Sequence, residues 1–176
     1  MLSQIARSSK DTYEHIDSID PYSDIKNLIK HPDPQIKSRV LNLIGNLCRH
    51  SGYFYGKILE YDLIKDIVQL CSCEDKNTKK FACVALGNAS FHDSTLYEGL
   101  RISMPTLVGL LKDSDEKTRS NAAAALGNLA RNSQILDKEF IKTGANYQLI
   151  NMINNDKSIS AKKVSIMAIT NLLNLP

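Results

Sequence analysis

Four asparagines that recur at a near-constant interval are the residues of this sequence best placed to make repeated, specific contacts. They lie 42, 40 and 43 residues apart, at Asn46, Asn88, Asn128 and Asn171. A carboxamide carries both a hydrogen-bond donor and an acceptor, so it can pair with a peptide backbone whatever the side chains of that peptide are. Alternatively, each Asn merely satisfies helix carbonyl groups near a C-terminus. The spacing predicts one of these two roles.

Other side chains that could support chemistry are scattered. Among the four cysteines only Cys71 and Cys73 lie close together, and no second pair or histidine cluster completes the four ligands of a structural zinc site. Cys48 and Cys83 suit small buried positions on helices. No combination of Ser, His and Asp carries a nucleophile motif. We therefore predict no metal site, no cofactor and no catalytic residue, and hence a protein that is not an enzyme.

The segments around the asparagines show that the chain is repetitive. Three end in Gly-Asn followed by an apolar residue, and the fourth has Thr in place of Gly: Leu43–Leu47, Ala85–Ala89, Ala125–Leu129 and Ala168–Leu172. A period of about 40–47 residues is typical of armadillo and HEAT repeats, which stack into solenoids. Because Gly inside a helix costs about 1 kcal/mol relative to Ala, three at one register predict neighbouring helices that cross too closely for a Cβ.

Helix-start signals divide each repeat. Asp33, Asp75 and Asp115 are suitable N-caps, and Pro34 suits a first helical turn. The pattern predicts long helices over residues 34–49, 76–91, 116–131 and 158–174. Shorter apolar-periodic helices are predicted ahead of them, over residues 22–30, 62–70, 104–112 and 145–154.

A brief third helix distinguishes the armadillo unit from the two-helix HEAT unit. We predict it over residues 52–60, 94–101 and 133–142, with Ser51, Ser94 and Ser133 as its caps. The predicted fold is an all-α, right-handed armadillo/HEAT-type solenoid of three complete repeats with partial end units. Residues 21–176 form the repeat domain, with units over about 21–61, 62–103 and 104–144 and a partial unit over 145–176. Residues 1–20 fit no unit and are interpreted as a poorly ordered lead or an incomplete helix.

Acidic and basic residues recur in register at the start of the long helices. Each pair is four residues apart: Asp33 and Lys37, Asp75 and Lys79, and Asp115 and Arg119. The column resembles the Asp–Arg ladder of HEAT repeats, and we predict that it stabilises the stacking of units.

In such solenoids the long helices line a concave groove, where the asparagine column would meet an extended ligand. Further candidates for the groove lie within two turns of that column: Arg39, Arg49, Phe91, Asn121 and Arg131. Arginines in a groove favour an acidic or phosphorylated ligand. Alternatively, they are solvated side chains that complement the helix dipole.

The composition and charge of the chain limit the classes of ligand that it could bind. The net charge is +3, the sequence pI is about 8.6, and no block of consecutive basic residues occurs. That pattern disfavours nucleic acid as a ligand. No stretch approaches the roughly 18 apolar residues of a membrane span, and Met1–Arg7 lacks the apolar region of a signal peptide. A protein partner is predicted, and the location is predicted to be cytoplasmic or nuclear, with the cytoplasm favoured.

Three segments are more specific than the general repeat: Arg49–Tyr55, Lys80–Ala89 and Glu116–Ser133. Together they resemble the C-terminal armadillo region of Fused-type serine/threonine kinases, over about residues 31–150. The resemblance implies the non-catalytic arm of such a kinase, a kinesin-like protein partner, and association with the cytoskeleton or cilium. The chain has no Gly-rich loop, His-Arg-Asp or Asp-Phe-Gly motif, so the resemblance does not carry kinase activity over to it.

The leading functional prediction is a protein-interaction scaffold that uses the concave groove. An alternative is an assembly module that uses its terminal faces, including end-to-end self-association. The final helix favours it, because Val164–Leu175 is apolar on several sides whereas a terminal repeat is normally polar. A third class, nucleic-acid binding, predicts a steep salt dependence.

Overall fold

The computed structural model describes residues 1–131 and 135–174, and every regular element in these two stretches is a helix. Short 3₁₀ helices occur at Lys10–Thr12 and Arg101–Ser103. The α-helices are α1 (Leu2–Ser8), α2 (Tyr13–Ser18), α3 (Tyr22–Leu28), α4 (Pro34–Leu47), α5 (Tyr55–Glu60), α6 (Leu63–Leu70), α7 (Lys76–Ala89), α8 (Tyr97–Leu100), α9 (Met104–Leu110), α10 (Glu116–Arg131), α11 (Asp137–Thr143), α12 (Ala145–Asn155) and α13 (Ile159–Leu173). The predicted all-α repeat architecture is confirmed.

The four long helices, α4, α7, α10 and α13, stack side by side in chain order. The predicted caps are confirmed, because Asp33 Oδ1, Asp75 Oδ1 and Asp115 Oδ2 accept hydrogen bonds from backbone N–H groups of the first turn at 2.8, 2.7 and 2.8 Å. In the last unit Ser158 is the N-cap. α4 and α7 each end two residues before the predicted position.

The mid-helix glycines lie where one long helix crosses the next, but only one crossing is too tight for a Cβ without a shift. A Cβ on Gly127 would lie 3.0 Å from Ala168 Cα, which is tighter than most packed Cβ contacts and requires the neighbouring helix to move by a few tenths of an ångström. A Cβ on Gly45 or Gly87 would lie 3.6 Å from the nearest backbone atom, an ordinary van der Waals contact. The predicted tight crossing is therefore confirmed at Gly127 and wrong at Gly45 and Gly87, where a methyl group fits.

A column of buried tyrosines, which the sequence reading missed, ties the short helices to the long ones. Tyr13, Tyr55 and Tyr97 are spaced 42 residues apart. Their hydroxyls donate to the backbone carbonyls of Asn46, Asn88 and Asn128 at 3.3, 2.8 and 3.1 Å. Buried Phe140, which has no hydroxyl, follows 43 residues after Tyr97. The core is continuous along the stack as a result.

The brief third helices begin later than predicted. Phe54 and Leu96, both fully buried, are the N-cap residues of α5 and α8, and neither makes a side-chain capping bond. Ser51 and Ser94 are therefore not the caps. The helices start where these apolar side chains and the tyrosines after them enter the core, so burial rather than capping sets the boundary. The proposed cap Ser133 lies outside the described residues.

Residues 1–20 are largely helical, and α1 packs against α4. Ser3 Oγ accepts hydrogen bonds from Asn42 Nδ2 at 3.0 Å and Asn46 Nδ2 at 2.8 Å. His50 Nε2 lies 2.7 Å from the carbonyl oxygen of Arg7, as His92 Nε2 lies 3.1 Å from that of Arg49. α1 thus takes the place that a preceding long helix would occupy.

The acid–base column joins units, with partners other than the paired residues of the sequence pattern. Lys79 Nζ lies 2.7 Å from Asp113 Oδ2. Arg119 Nε and Nη2 donate to Asp156 Oδ2 and Oδ1 at 2.7 and 2.9 Å. Lys79 and Arg119 therefore each reach an acid just ahead of the next long helix, while Asp75 and Asp115 cap their own helices. The geometry supports the predicted stacking role.

Candidate peptide-binding groove

The asparagine column forms one bond per junction between units. Asn88, Asn128 and Asn171 each donate from Nδ2 to the carbonyl of the glycine in the preceding long helix: Gly45, Gly87 and Gly127, at 2.7, 2.8 and 2.8 Å. The bond is of the second predicted kind, since each amide satisfies a helix carbonyl near a C-terminus, although that carbonyl belongs to the previous unit. It also explains why Asn171 persists beside Thr170. The acceptor is the carbonyl of Gly127, so replacing the last unit's own Gly leaves the bond intact.

Part of each amide is left for a ligand. Within the described residues, the hydrogen bonds of Asn88, Asn128 and Asn171 use one N–H and leave Oδ1 without a partner. These three side chains are half-buried, whereas Asn46 is 7% exposed. A ligand backbone could thus use the remaining N–H and Oδ1 of the half-buried amides.

The surface around the asparagines is continuous across the long helices. We define the groove face as six positions of each long helix that share one side of it by helical spacing. These positions are 35, 38, 39, 42, 46 and 49 on or just after α4, and 77, 80, 81, 84, 88 and 91 on or just after α7. On α10 they are 117, 120, 121, 124, 128 and 131, and on or just after α13 they are 160, 163, 164, 167, 171 and 174. Six of these positions are basic and none is acidic: Arg39, Arg49, Lys80, Lys117, Arg131 and Lys163. The groove face is therefore more positive than the chain as a whole.

The other predicted groove residues do not all lie together. Phe91 and Arg131 come together, with the guanidinium carbon of Arg131 4.7 Å from the ring centre of Phe91, a cation–π contact. Arg49 is also exposed near the end of its helix. Arg39 lies about 15 Å further along α4 from Arg49, at the helical rise of about 1.5 Å per residue. Asn121 is half-buried on α10.

A depression of about 470 Å³ opens between α4 and α7 on the groove face. Its lining comprises Gln35, Ser38, Arg39, Asn42, Asn77, Lys80 and Phe81. Of these only Arg39 was predicted as a site residue. Lys80 was not predicted. The signal that could have found it is its register, because it lies one repeat after Ser38 and one turn from the predicted face.

The end of the stack beyond α10 is apolar. Ile166 and Leu173 of α13 are 50% and 80% exposed. In the three earlier long helices the residues at these two registers are fully buried by the next unit. They are Leu41, Cys83 and Ala123 at the register of Ile166, and Cys48, Ser90 and Ala130 at the register of Leu173. We call this surface the end face. It includes a depression of about 410 Å³ lined mainly by Phe140, Ile141, Ile150, Ile169, Leu172 and Leu173.

Two other kinds of site find no support in the described stretches. Residues 1–131 and 135–174 contain no group of three His, Cys, Asp or Glu side chains close enough to hold a metal ion. None of the helices described there is both long and apolar enough to cross a membrane.

Comparison with known proteins agrees with this architecture. Residues 103–131 match the Armadillo/beta-catenin-like repeat family. A designed armadillo repeat protein is 23% identical and superimposes with a TM-score of 0.89 over 97% of this chain and 72% of that one. Another, in complex with the peptide (KR)4, is 22% identical with a TM-score of 0.88, again over 97% of this chain and 72% of that one. The chain is therefore an armadillo-repeat solenoid.

The proteins related to this chain in sequence point to a narrower group than the structural matches do. Serine/threonine-protein kinase TIO from Arabidopsis thaliana is 39% identical over 154 residues, or 87% of this chain. Serine/threonine-protein kinase 36 from Mus musculus is 28% identical over 156 residues, or 88% of this chain. The chain spans 12% of the length of each of these kinases. These matches confirm that it resembles the armadillo region of Fused-type kinases.

Proposed function

We propose that the groove face binds an extended segment of a protein partner, and that the chain is a non-catalytic interaction region of a Fused-like kinase. The observation that carries the proposal is the asparagine column, in which one amide per junction keeps an N–H and Oδ1 for a ligand. Packed helices lie about 8–10 Å apart and an extended chain rises about 3.3 Å per residue. Successive asparagines would therefore meet a peptide about every third residue.

The charge of the groove face supports an acidic segment. Six basic positions without an acidic one attract carboxylates and repel a basic peptide. The designed armadillo protein with bound (KR)4 provides the contrasting probe, since that peptide carries the sign of charge that this groove face would reject. From the family resemblance we further propose a kinesin-like partner and a cytoplasmic location, associated with the cytoskeleton or cilium.

The proposal can be tested with peptides of opposite charge. Fluorescently labelled (DE)4 should bind saturably, as followed by polarisation, and (KR)4 should not. The Asn88→Ala/Asn128→Ala variant should bind (DE)4 several-fold more weakly, because it loses two backbone-pairing amides. Arg131→Glu should weaken it further.

The asparagines also hold units together, so their substitution needs a matched control. Tyr55→Phe removes a hydrogen bond to the Asn88 carbonyl at the same junction, yet Tyr55 is buried away from the groove face. It should lower stability without changing affinity. Normal binding of (DE)4 by the folded double Ala variant would contradict the groove function.

The end face favours a second function, in which the module contacts another copy through its repeat end. The opposite end is more polar, since Gln4, Arg7 and Glu14 are exposed there beside apolar Met1 and Ile19, so contact between two end faces suits the surfaces better than head-to-tail stacking. Sedimentation velocity should then show a concentration-dependent dimer that Leu173→Glu abolishes. Ile19→Glu, which alters an exposed apolar residue at the other end, is the control. A monomer at all concentrations would eliminate this alternative.

A further inference from the structure

The depression between α4 and α7 has a cation on each wall. Exposed Arg39 lies on α4, and half-buried Lys80 lies on α7. The hydroxyl of Ser38 and the amides of Asn42 and Asn77 line the space between them. Two positive charges and several uncharged polar groups therefore converge on one hollow of about 470 Å³.

Neither cation is paired directly with a carboxylate in the described part of the chain. Within the described stretches, Arg39 and Lys80 take part in no ion pair, in contrast to Lys79 and Arg119 of the stacking column. Lys80 Nζ donates to Asn77 Oδ1 at 3.0 Å and lies 4.9 Å from the ring centre of Phe81. These contacts orient the ammonium group at the depression without cancelling its charge.

The equivalent positions at the other two junctions between long helices lack this arrangement. Between α7 and α10, Phe81 and Val84 replace Arg39 and Asn42 on the first wall. Between α10 and α13, the residue at the register of Arg39 is Asn121. The paired cations are thus particular to the first junction and do not follow from the repeat.

The chemistry of the hollow fits a phosphoryl group. An arginine fork donates two parallel hydrogen bonds to phosphate oxygens, and lysine supplies a point charge. A phosphorylated Ser or Thr carries about −1.5 to −2 charge and three acceptor oxygens, which matches two cations better than the single charge of a carboxylate does. We propose that this hollow is the subsite for a phosphorylated Ser or Thr of the bound segment, so that phosphorylation of the partner controls its binding. The inference rests on the proposed groove function for the peptide that carries the phosphate.

The test uses the labelled protein in nuclear magnetic resonance titrations. The probes are a neutral Gly/Ser peptide with one central phosphothreonine, the same peptide with Thr or Glu at that position, and inorganic phosphate. The phosphopeptide should shift backbone amides around residues 38–42 and 77–81 saturably, and the Thr peptide should not. Arg39→Gln and Lys80→Gln should each weaken binding about tenfold, the scale of a lost hydrogen bond to a charged group.

Lys163→Gln is the matched control, because Lys163 holds the register of Lys80 at the far end of the groove face and is exposed. It should leave affinity unchanged. An equal loss in this variant, equal affinity for the Glu peptide, or equal affinity for inorganic phosphate would overturn the subsite.

Binding of the phosphopeptide that survives Asn88→Ala/Asn128→Ala would contradict the asparagine role alone. Binding of (DE)4 that is insensitive to Arg39→Gln and Lys80→Gln, with no binding of the phosphopeptide, would contradict the subsite alone.

Discussion

The two edges of the repeat stack hold neighbouring units together by different means. Where the long helices begin, charged pairs cross the junctions, Lys79 with Asp113 and Arg119 with Asp156. At the glycine–asparagine register, the contacts are neutral: an amide donates to a glycine carbonyl, and helices cross beside it. The charged edge varies in chemistry from unit to unit, whereas the neutral edge repeats the same bond. The neutral edge therefore supplies the contact that stays constant from one described junction to the next.

The largest effect is expected at the tightest crossing of the neutral edge. Gly127→Leu would place a branched side chain where even a Cβ lies 3.0 Å from Ala168 Cα. Because the neighbouring atom is backbone, α13 must move, and we expect a loss of about 3 kcal/mol in unfolding free energy, at the upper end for overpacked cores. Urea unfolding measures it. Gly109→Leu is the control, since nothing lies within 4 Å of a Cβ at exposed Gly109. An unchanged midpoint for Gly127→Leu would refute the close crossing.

The next effect lies on the charged edge. Arg119→Gln removes both hydrogen bonds to Asp156 and leaves a carboxylate whose side chain is 5% exposed. Losing such a charged partner costs about 1–3 kcal/mol. Thermal and urea unfolding measure the loss. Lys57→Gln breaks an exposed pair with Glu60 and should leave the melting temperature unchanged. If both variants behaved alike, Arg119 would not be holding the units together.

The charged edge should also respond to acid, unlike the neutral one. The hydrogen bonds from Arg119 hold the pKa of Asp156 below its ordinary value of 3.8. The ionised carboxylate therefore stabilises the folded state above that value, and the contribution disappears as the pH falls through the lower folded-state pKa. The difference in unfolding free energy between wild type and Arg119→Gln should shrink as the pH falls below about 4. A constant difference down to strongly acidic pH would show that the pair contributes through packing alone.

The sequence predicted the elements more reliably than the contacts between them. Asp33 and Asp75 marked helix starts correctly because an N-cap bond is local, reaching only two or three residues along the chain. The bond from Asn128 to Gly87 spans 41 residues, so its acceptor could not be read from the local pattern. The Arg119 partner was missed for the same reason, since Asp156 belongs to the next unit.

The start of the chain shows how a departure from the motif concealed the repeat. Ser3 lies 42 residues before Gly45 and takes the role of the glycine carbonyl through its hydroxyl, accepting from Asn46. Gln4 stands at the asparagine register. Because the pair reads Ser-Gln instead of Gly-Asn, the motif did not extend to residues 1–20. The column of tyrosines 42 residues apart, which includes Tyr13, was the signal that could have extended it.

The smallest effect separates two glycines that the sequence presents as equivalent. Gly87 and Gly127 precede an Asn at the same register, yet a Cβ on Gly87 would make an ordinary 3.6 Å contact with Ala125. Gly87→Ala should gain up to about 1 kcal/mol from helix propensity, with no opposing clash. Gly127→Ala gains the same propensity but must displace the α13 backbone, so the two effects oppose each other and stability should not rise. Parallel urea titrations decide the matter. If both variants were destabilised equally, the requirement would belong to the repeat itself, and the distinction between a tight last crossing and looser earlier ones would fail.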